Sequence, residues 1–310
     1  MIYTVTLNPA IDITIYLNRL EKGQINRSNG YVIDAGGKGI NVSKVIKVLG
    51  EESVALGFLG KENSGWFLEY LQRFSIENDF VFVNGLTRTN IKIVELGDGQ
   101  HTDLNQPGFE ITEIDKLAVF EKIESKARYG DIFVLSGSLP TNADSKMYFE
   151  IIKSLKQKGV TVIFDADGQA LKEGIKAKPD VIKPNIHEFK TLFNVDESDT
   201  NSIVKAAKSL VAEGIKVVLI SLGANGSIFV TENLVLYAKP LKVDVKSTTG
   251  AGDSMVAAIA YGFSKKMSKQ QLFKLACACA TAKVVEEGNK PPEMKQIDYF
   301  FENVEIERLG

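Results

Sequence analysis

The sequence predicts an α/β fold whose central sheet is mainly parallel and is covered by helices on both faces. Helical and strand patterns alternate from residue 114 to residue 220, which is typical of parallel strands joined by helical crossovers. Several strand patterns run into short polar loops, and open α/β sheets bind their ligands at such carboxyl strand ends. Short strand patterns elsewhere interrupt the alternation and predict a second, smaller sheet.

Composition indicates a chain with a large core and a small-molecule partner. The 310 residues are 44% hydrophobic, enough for a sizeable core. The formal net charge is −2 and Lys and Arg are scattered, which argues against nucleic acid or a membrane surface as a partner. Met1 leads into an apolar strand pattern without a basic leader, and no long apolar stretch follows, so we expect a cytoplasmic protein. Cys277 and Cys279 lie two apart in a predicted helix, which suits neither a disulfide nor a metal pair.

The first strand pattern, residues 2–7, ends at Asn8 and Pro9. Asp12 follows this strand end, where it can bind ligand hydroxyl groups; a solvated loop acid is the alternative interpretation. A small separate sheet, serving as a lid or a dimer surface, is predicted by the short strand patterns at residues 13–17, 31–33, 80–83 and 89–96.

A glycine-rich turn, GGKGINV at residues 36–42, leads into a helix pattern that closes at Gly50. Lys38 supplies a point charge for an anion, and Asn41 supplies both a donor and an acceptor for a hydroxyl. A tight turn with a solvated lysine is the alternative. The spacing matches neither the nucleotide P-loop nor the dinucleotide fingerprint.

The alternating region has three loops that follow buried strands. Its helix patterns cover residues 114–127, 147–155 and 203–213, and its strand patterns cover residues 132–135, 160–164 and 217–220. The loops are SGSLP at residues 136–140, KPNIHE at 183–188 after a strand near Val181, and SLGANGS at 221–227.

The side chains of KPNIHE suit a phosphate and a metal ion. Lys183 can meet a phosphate, Asn185 a phosphate or a metal-bound water, and Glu188 an Mg²⁺ ion through water. His187 is interpreted as a surface residue or a residue that supports a ligand rather than as a metal ligand, because no other histidine or cysteine has a matching ligand spacing. In SLGANGS, Ser221 and the glycines suit a nucleotide contact, and a simple hairpin turn is the alternative.

The stretch STTGAGDSMVAA, residues 247–258, combines an anion-binding turn with an acid. Gly250 and Gly252 let backbone amides approach a ligand at the beginning of a helix, where unpaired N–H groups favour an anion. Asp253 would repel that anion, but it suits a base that takes a proton from an attacking hydroxyl. An ordinary helix N-terminus with a first-turn acid is the alternative.

Together these motifs resemble the carbohydrate kinases of the ribokinase, or PfkB, family. GGKGINV and TTGAGDSMVAA are similar to its two signatures, and TVTLNPAID, GSLP, KPN and SLGANG are similar to the branch that phosphorylates sugar phosphates. The resemblance covers the whole chain and implies a ribokinase-like fold. It also implies an α/β domain of residues 1–11, 36–79 and 107–310, with a β lid of residues 12–35 and 80–106 that pairs two subunits of a homodimer.

The resemblance implies roles for individual residues. Asp253 would be the catalytic base, and Gly250, Ala251 and Gly252 would form the anion hole. Substrate binding is implied for Asp12, Gly36, Gly37, Lys38, Asn41, Arg88, Ser138 and, across the dimer, Arg27. Nucleotide binding is implied for Lys183, Asn185, Ser221, Gly223, Ala224 and Gly226. Glu188, together with Asn185, would hold Mg²⁺ through water.

The implied reaction moves the γ-phosphoryl group of ATP to the 6-hydroxyl of fructose 1-phosphate. Tagatose 6-phosphate as the acceptor, or a kinase acting on both sugars, remains open. A sugar-phosphate binding protein without catalysis is the alternative outside the enzymes, and a nicotinamide oxidoreductase is the weakest. Potassium also remains open as a cofactor, because Ser247 departs from the Asp or Asn that relatives often carry near their monovalent-cation site.

Overall fold

Two β-sheets organise the computed structural model, which describes residues 1–97, 99–196 and 199–309. The strands are β1 Ile2–Thr6, β2 Ala10–Leu17, β3 Gly30–Gly36, β4 Ser53–Gly60, β5 Glu77–Val83, β6 Arg88–Glu95, β7 His101–Leu104, β8 Ile132–Ser136, β9 Thr161–Asp165, β10 Val181–Ile182, β11 Val217–Ser221, β12 Ser227–Thr231, β13 Leu234–Ala238 and β14 Ile306–Arg308. The α-helices are α1 Lys38–Val48, α2 Ser64–Arg73, α3 Glu113–Lys126, α4 Met147–Gln157, α5 Gly168–Ile175, α6 Ile186–Phe193, α7 Thr200–Ala212, α8 Ala251–Ser264, α9 Lys269–Val284 and α10 Met294–Asn303.

The large sheet has the strand order β14-β13-β12-β11-β10-β9-β8-β1-β4-β5. Every pairing from β11 to β5 is parallel, whereas β12, β13 and β14 extend the other edge in antiparallel fashion. The predicted α/β fold with a mainly parallel sheet is therefore confirmed. Because the parallel strands point the same way, their carboxyl ends form one edge, and this edge carries the polar loops.

Separate apolar cores cover the two faces of this sheet. One core contains buried residues of α3, α4 and α7, among them Val119, Ile152 and Leu210. The other contains buried residues of α8 and α9, among them Ile259 and Phe273. Both faces of the strands are apolar for this reason, which explains the continuous rather than alternating apolar runs in the sequence.

The small sheet has the order β3-β2-β6-β7. The prediction that residues 80–83 belong to it is wrong, because β5 pairs in parallel with β4 at the edge of the large sheet. Phe80 and Val83 are buried against that sheet's core, and this burial accounts for the apolar run. The fourth strand of the small sheet is instead β7, whose four residues are all exposed and therefore carry no apolar signal.

Cys277 and Cys279 lie in α9, and both are free and buried. Burial raises the pKa of the Cys277 thiol to about 12, which keeps it protonated and unreactive at neutral pH. Across the described ranges, no helix has the combined length and apolar character that crossing a bilayer requires.

Candidate active site

The polar loops predicted from the sequence meet at the carboxyl edge of the large sheet. Asn185, after β10, forms a parallel bridge with Ser221 at the end of β11. The Gly137 amide, after β8, donates to the carbonyl of Asp165 at the end of β9, with an N–O distance of 3.0 Å. The loops after the neighbouring strands β8, β9, β10 and β11 thus lie side by side. The beginning of α8 lies against the loop after β10, since Gly252 is next to Lys183.

Helix α8 begins with an open N-terminus. Gly250 precedes it with φ 79°, a left-handed conformation that favours glycine, and no side chain among the described residues caps this end. The Ala251 amide makes a turn contact of 3.3 Å with the Thr248 carbonyl. A Cβ atom at Gly252 would lie 2.9 Å from the Lys183 Nζ, so glycine permits the lysine to approach this turn. The combination of open amides and a close cation suits an anion.

Asp253 lies buried in the first turn of α8. Its Oδ2 accepts a hydrogen bond of 2.8 Å from the Asn41 Nδ2, which joins the two glycine-rich motifs although 212 residues separate them. Burial raises the pKa of Asp253 to about 6, and the positive charge of Lys38 opposes this effect. A carboxylate with a pKa this close to neutrality is well matched to general base catalysis.

Asp165 is a site residue that the sequence analysis missed. Its Oδ1 lies 3.2 Å from the Lys38 Nζ and 3.5 Å from the Lys183 Nζ, so one buried carboxylate holds both predicted lysines. Although burial lowers the pKa of Lys38, the charges of Asp165 and Asp253 raise it more, and the pKa is raised overall. The sequence did contain a signal for Asp165, because this residue directly follows the buried strand pattern at residues 160–164, and the other site residues also lie in loops that follow buried strands.

The two lysines contact only one of the two carboxylate oxygens of Asp165, Oδ1. Its Oδ2 is buried and has no hydrogen-bond partner among the described residues. A buried acceptor without a donor is costly, which indicates a position that a ligand or a metal-bound water completes.

A second polar cluster surrounds Asp12. The carboxylate accepts hydrogen bonds from the Nδ2 atoms of Asn90, at 2.9 Å, and Asn289, at 2.5 Å. Gly36 makes room for it, since a Cβ atom there would lie 1.9 Å from the Asp12 Oδ2. The Oδ1 atoms of Asn41, Asn90 and Asn289 are buried and lack donors within the described residues. Several unpaired acceptors beside a carboxylate suit a ligand with several hydroxyl groups.

The structure brings the side chains of Arg88 and Ser138 together. The Arg88 guanidinium donates to the Ser138 Oγ at 3.4 Å and to the Asn8 carbonyl at 3.1 Å. Burial lowers the pKa of Arg88, but an arginine keeps its charge in proteins. The Arg88 guanidinium therefore lies near the carboxyl ends of β1 and β8, where it can bind an anionic group of a substrate.

The structure does not bring Arg27 to this cluster within one chain. Arg27 is exposed in the connection 18–29, which follows the end of β2 that is distant from Ala10 and Gly36. At the usual rise per residue of a strand, the length of β2 places its Leu17 end about 20 Å from its Ala10 end, which lies at the site. A role for Arg27 across a dimer stays a prediction.

Asn185 and Glu188 form a capping box at the beginning of α6. The Asn185 Oδ1 accepts from the Glu188 amide at 2.9 Å, and the Glu188 Oε2 accepts from the Asn185 amide at 2.8 Å. Burial raises the pKa of Glu188. No group of three or more His, Cys, Asp or Glu side chains with metal-binding geometry occurs in the described residues. The capping contacts account for this pair structurally, and its role toward Mg²⁺ stays a prediction.

The SLGANGS loop is a hairpin turn between β11 and β12, as one of the two interpretations predicted. Gly223 and Gly226 have φ values of 60° and 90°, and a Cβ atom at Gly226 would lie 2.1 Å from the Ala238 carbonyl oxygen. Both glycines are therefore needed by the turn itself. Ala224 is exposed, and the loop's contact with a nucleotide stays a prediction.

A buried carboxylate beside the open N-terminus of α8, with two lysines held by Asp165, suits an enzyme that transfers a phosphoryl group to a hydroxyl. The chain belongs to the PfkB family of carbohydrate kinases, whose family model matches residues 5–296. It is 34% identical over 308 residues to a 1-phosphofructokinase from Vibrio cholerae, which covers 99% of this chain and 97% of that protein. It is 37% identical over 307 residues to a 1-phosphofructokinase from Haemophilus influenzae, with 98% and 97% coverage.

Solved structures have the same fold. Phosphofructokinase-2 from Escherichia coli superposes with a TM-score of 0.93 at 26% identity, covering 97% of this chain and 98% of that one. A possible 1-phosphofructokinase from Thermotoga maritima superposes with a TM-score of 0.89 at 29% identity, covering 100% and 99%. These likenesses identify the chain as a sugar-phosphate kinase with a ribokinase-like fold.

Proposed function

We propose that this kinase transfers the γ-phosphoryl group of ATP to the 6-hydroxyl of fructose 1-phosphate and produces fructose 1,6-bisphosphate. The observation that carries the proposal is the buried Asp253, held by Asn41 at the open N-terminus of α8. The names of the Vibrio cholerae and Haemophilus influenzae relatives support fructose 1-phosphate as the acceptor.

In this proposal Asp253 takes the proton of the 6-hydroxyl while the hydroxyl oxygen forms its bond to the γ-phosphorus. The bond between that phosphorus and the ADP oxygen breaks, and ADP leaves with those electrons. Phosphoryl transfer passes through a loose transition state, so alignment and charge stabilisation supply most of the rate enhancement. The turn from Gly250 to Gly252 contributes amides, and Lys183 contributes positive charge beside it.

The acceptor sugar would bind between the Asp12 cluster and Arg88. Asp12 and the unpaired Oδ1 atoms of Asn41, Asn90 and Asn289 would accept hydrogen bonds from its hydroxyl groups. Arg88 and Ser138 would hold its own phosphate, with Lys38 adding charge between that phosphate and the transferring group. A substrate that already carries a phosphate therefore fits this end better than a neutral sugar.

ATP would bind over the KPN and SLGANG loops, with Lys183, Ser221 and the glycine turn beside its phosphates. The unpaired Asp165 Oδ2 and the carboxylate of Glu188 would bind water molecules around Mg²⁺, an ion that keeps much of its hydration. Mg²⁺ neutralises charge on the phosphates when it is bound. Potassium is a further candidate, supported by the Escherichia coli phosphofructokinase-2 structure in complex with potassium.

A coupled assay with ATP and Mg²⁺ tests the acceptor directly. Fructose 1-phosphate should give the highest kcat/KM, compared with fructose 6-phosphate and tagatose 6-phosphate. A preference for tagatose 6-phosphate would assign the second candidate, since a change in phosphate position and hydroxyl stereochemistry involves only a few contacts. Binding of all three without turnover would indicate a sugar-phosphate binding protein instead.

The cytoplasmic location remains a prediction from the sequence.

A further inference from the structure

One face of the small sheet lies against the main domain. Asp12 on β2 pairs in register with Asn90 on β6, and two positions further Thr14 pairs with Lys92. Residues two apart on a strand point to the same face, so these four side chains form one surface. Asp12 and Asn90 are already part of the proposed sugar site, whereas Lys92 has no role in it.

This face contacts the main domain at two loops. The Asn289 side chain donates to Asp12, and a Cβ atom at Gly288 would lie 3.6 Å from the Thr14 Oγ1. Lys92 reaches further, since its Nζ donates a hydrogen bond to the Oγ1 of Thr249. Thr249 directly precedes Gly250, the left-handed glycine at the beginning of α8.

Lys92 reaches the turn from the small sheet, at the residue before Gly250. Within the described residues no side chain caps α8. The Thr249 amide makes a 3.3 Å contact with the Ser247 Oγ, and the Gly250 carbonyl accepts from the amide and the Oγ of Ser254, both at 2.9 Å. The Lys92 ammonium is 3.7 Å from Asp103 on β7, and four fifths of its side chain is buried. A hydrogen bond from a charged donor in such a position is stronger than one between neutral groups, so it can hold the turn.

We propose that Lys92 is a positioning residue for phosphoryl transfer, which aligns the turn 249–252 through the Thr249 hydroxyl when the small sheet covers the site. The proposal rests on the proposed anion-hole function of this turn. In this proposal the small sheet covers the sugar and excludes water from the site. The same movement brings Lys92 to Thr249 and aligns the amides that stabilise the transferring phosphoryl group.

A double-mutant cycle tests this coupling with whichever sugar phosphate gives the fastest turnover, so that the result does not depend on the acceptor's identity. Lys92→Met and Thr249→Val should each lower kcat about tenfold, the loss expected for one charge-assisted hydrogen bond. The KM for the sugar phosphate should stay within about twofold, because neither side chain binds it in the proposal. The double variant should be no slower than the slower single variant.

Two controls separate positioning from general damage. Thr249→Ser keeps the hydroxyl and should retain near-normal kcat, while Asp103→Asn removes the ion pair but leaves the Thr249 contact and should also retain it. Losses that multiply in the double variant, normal turnover of Thr249→Val, or a Thr249→Ser variant as slow as Thr249→Val would each overturn the proposal. Absence of turnover in the unmodified protein would instead refute the proposed function itself.

Discussion

Opposing effects set the charge of Asp253. Burial removes water from its carboxylate and raises the pKa to about 6, from an ordinary value of 3.8, while Lys38 and the hydrogen bond from Asn41 oppose the increase. From the sequence alone the group is expected to be fully ionised and a weak base. The structure therefore makes Asp253 a stronger base than its residue type suggests, at the cost of a buried charge.

We predict an acidic limb near pH 6 in the pH profile of kcat/KM. Asp253 must be unprotonated to accept the hydroxyl proton, so activity should be present above this pH and lost as the pH falls through the pKa. Asn41→Leu removes a hydrogen bond that lowers the pKa, so it should move the limb to higher pH. Steady-state rates between pH 5 and pH 8 check both expectations, and an unmoved limb in the variant would contradict this account of the pKa.

Asp253→Asn should lower kcat by about 10²- to 10⁴-fold, the usual contribution of a general base. Its ATP dissociation constant should be unchanged, because the base does not bind the nucleotide in this proposal. The variant should also be more resistant to unfolding than the unmodified protein at pH 8, since it removes a buried charge. This difference should shrink below pH 6 and vanish near pH 4, where the folded protein no longer carries the charge. Turnover close to normal would exclude Asp253 as the base.

A further prediction concerns Arg88, which the proposed function places at the phosphate of the acceptor sugar. Arg88→Gln should raise the KM for the sugar phosphate at least tenfold, because a charged hydrogen-bonding partner of the acceptor's phosphate is lost. The KM for ATP should not change. Unphosphorylated fructose, tested as a poor acceptor, should react equally with both proteins, and an equal loss with fructose would show that Arg88 acts on the fold instead.

The beginning of α8 shows what the glycines contribute to a whole element. The turn needs a left-handed conformation at Gly250, and the absence of a side chain at Gly252 lets Lys183 approach to within contact distance. This requirement was visible in the sequence as GAGD, but the neighbour that makes the second glycine necessary was not. An alanine at Gly252 would have to displace the lysine or move the helix end.

We predict that Gly252→Ala lowers kcat by about tenfold or more, since its Cβ atom would lie 2.9 Å from the Lys183 Nζ. Gly65→Ala is the matched control, because Gly65 lies in α2 and a Cβ atom there meets nothing within 4 Å. The control should keep its kcat and gain about 0.5–1 kcal/mol of unfolding free energy from better helix propensity. Equal kcat values for the two variants would contradict the crowding argument.

The small sheet is the element that the sequence described least well. Its β2, β3 and β6 were predicted, but β5 was assigned to it wrongly and β7 was not predicted. Both errors have the same cause: an apolar run shows that a strand is buried, but not which sheet buries it. Strand β7 pairs with β6 through its backbone, and its four residues are exposed, so it leaves no apolar pattern.

The outer strands of the small sheet leave apolar side chains exposed to solvent. Tyr31 and Val32 on β3 are 66% and 46% exposed, and Leu104 on β7 is 53% exposed. An exposed apolar strand edge invites pairing with another chain. For this chain we propose the homodimer through the small sheet that the family resemblance implied.

The charge-introducing variant Val32→Lys should shift a dimer toward monomer in light scattering measured across a range of protein concentrations. Ile114→Lys is the control, because Ile114 is 78% exposed on α3 of the main domain and should leave the assembly unchanged. A monomeric unmodified protein, or a Val32→Lys variant that stays dimeric, would rule out assembly through this sheet.

The sequence by itself determined the alternating α/β architecture, the loops at strand ends and the identity of Asp253 as the candidate base. These features are local: periodicity, glycine placement and the residue after a strand can be read within a few neighbours. Only the tertiary structure decided that Asp165 joins Lys38 to Lys183, that Lys92 contacts Thr249, and that Asp253 has a raised pKa. The Lys38–Asp165 and Lys92–Thr249 contacts join residues 127 and 157 positions apart. Such pairings, like the loss of water around a carboxylate, depend on how the whole chain packs and leave no trace in a local pattern.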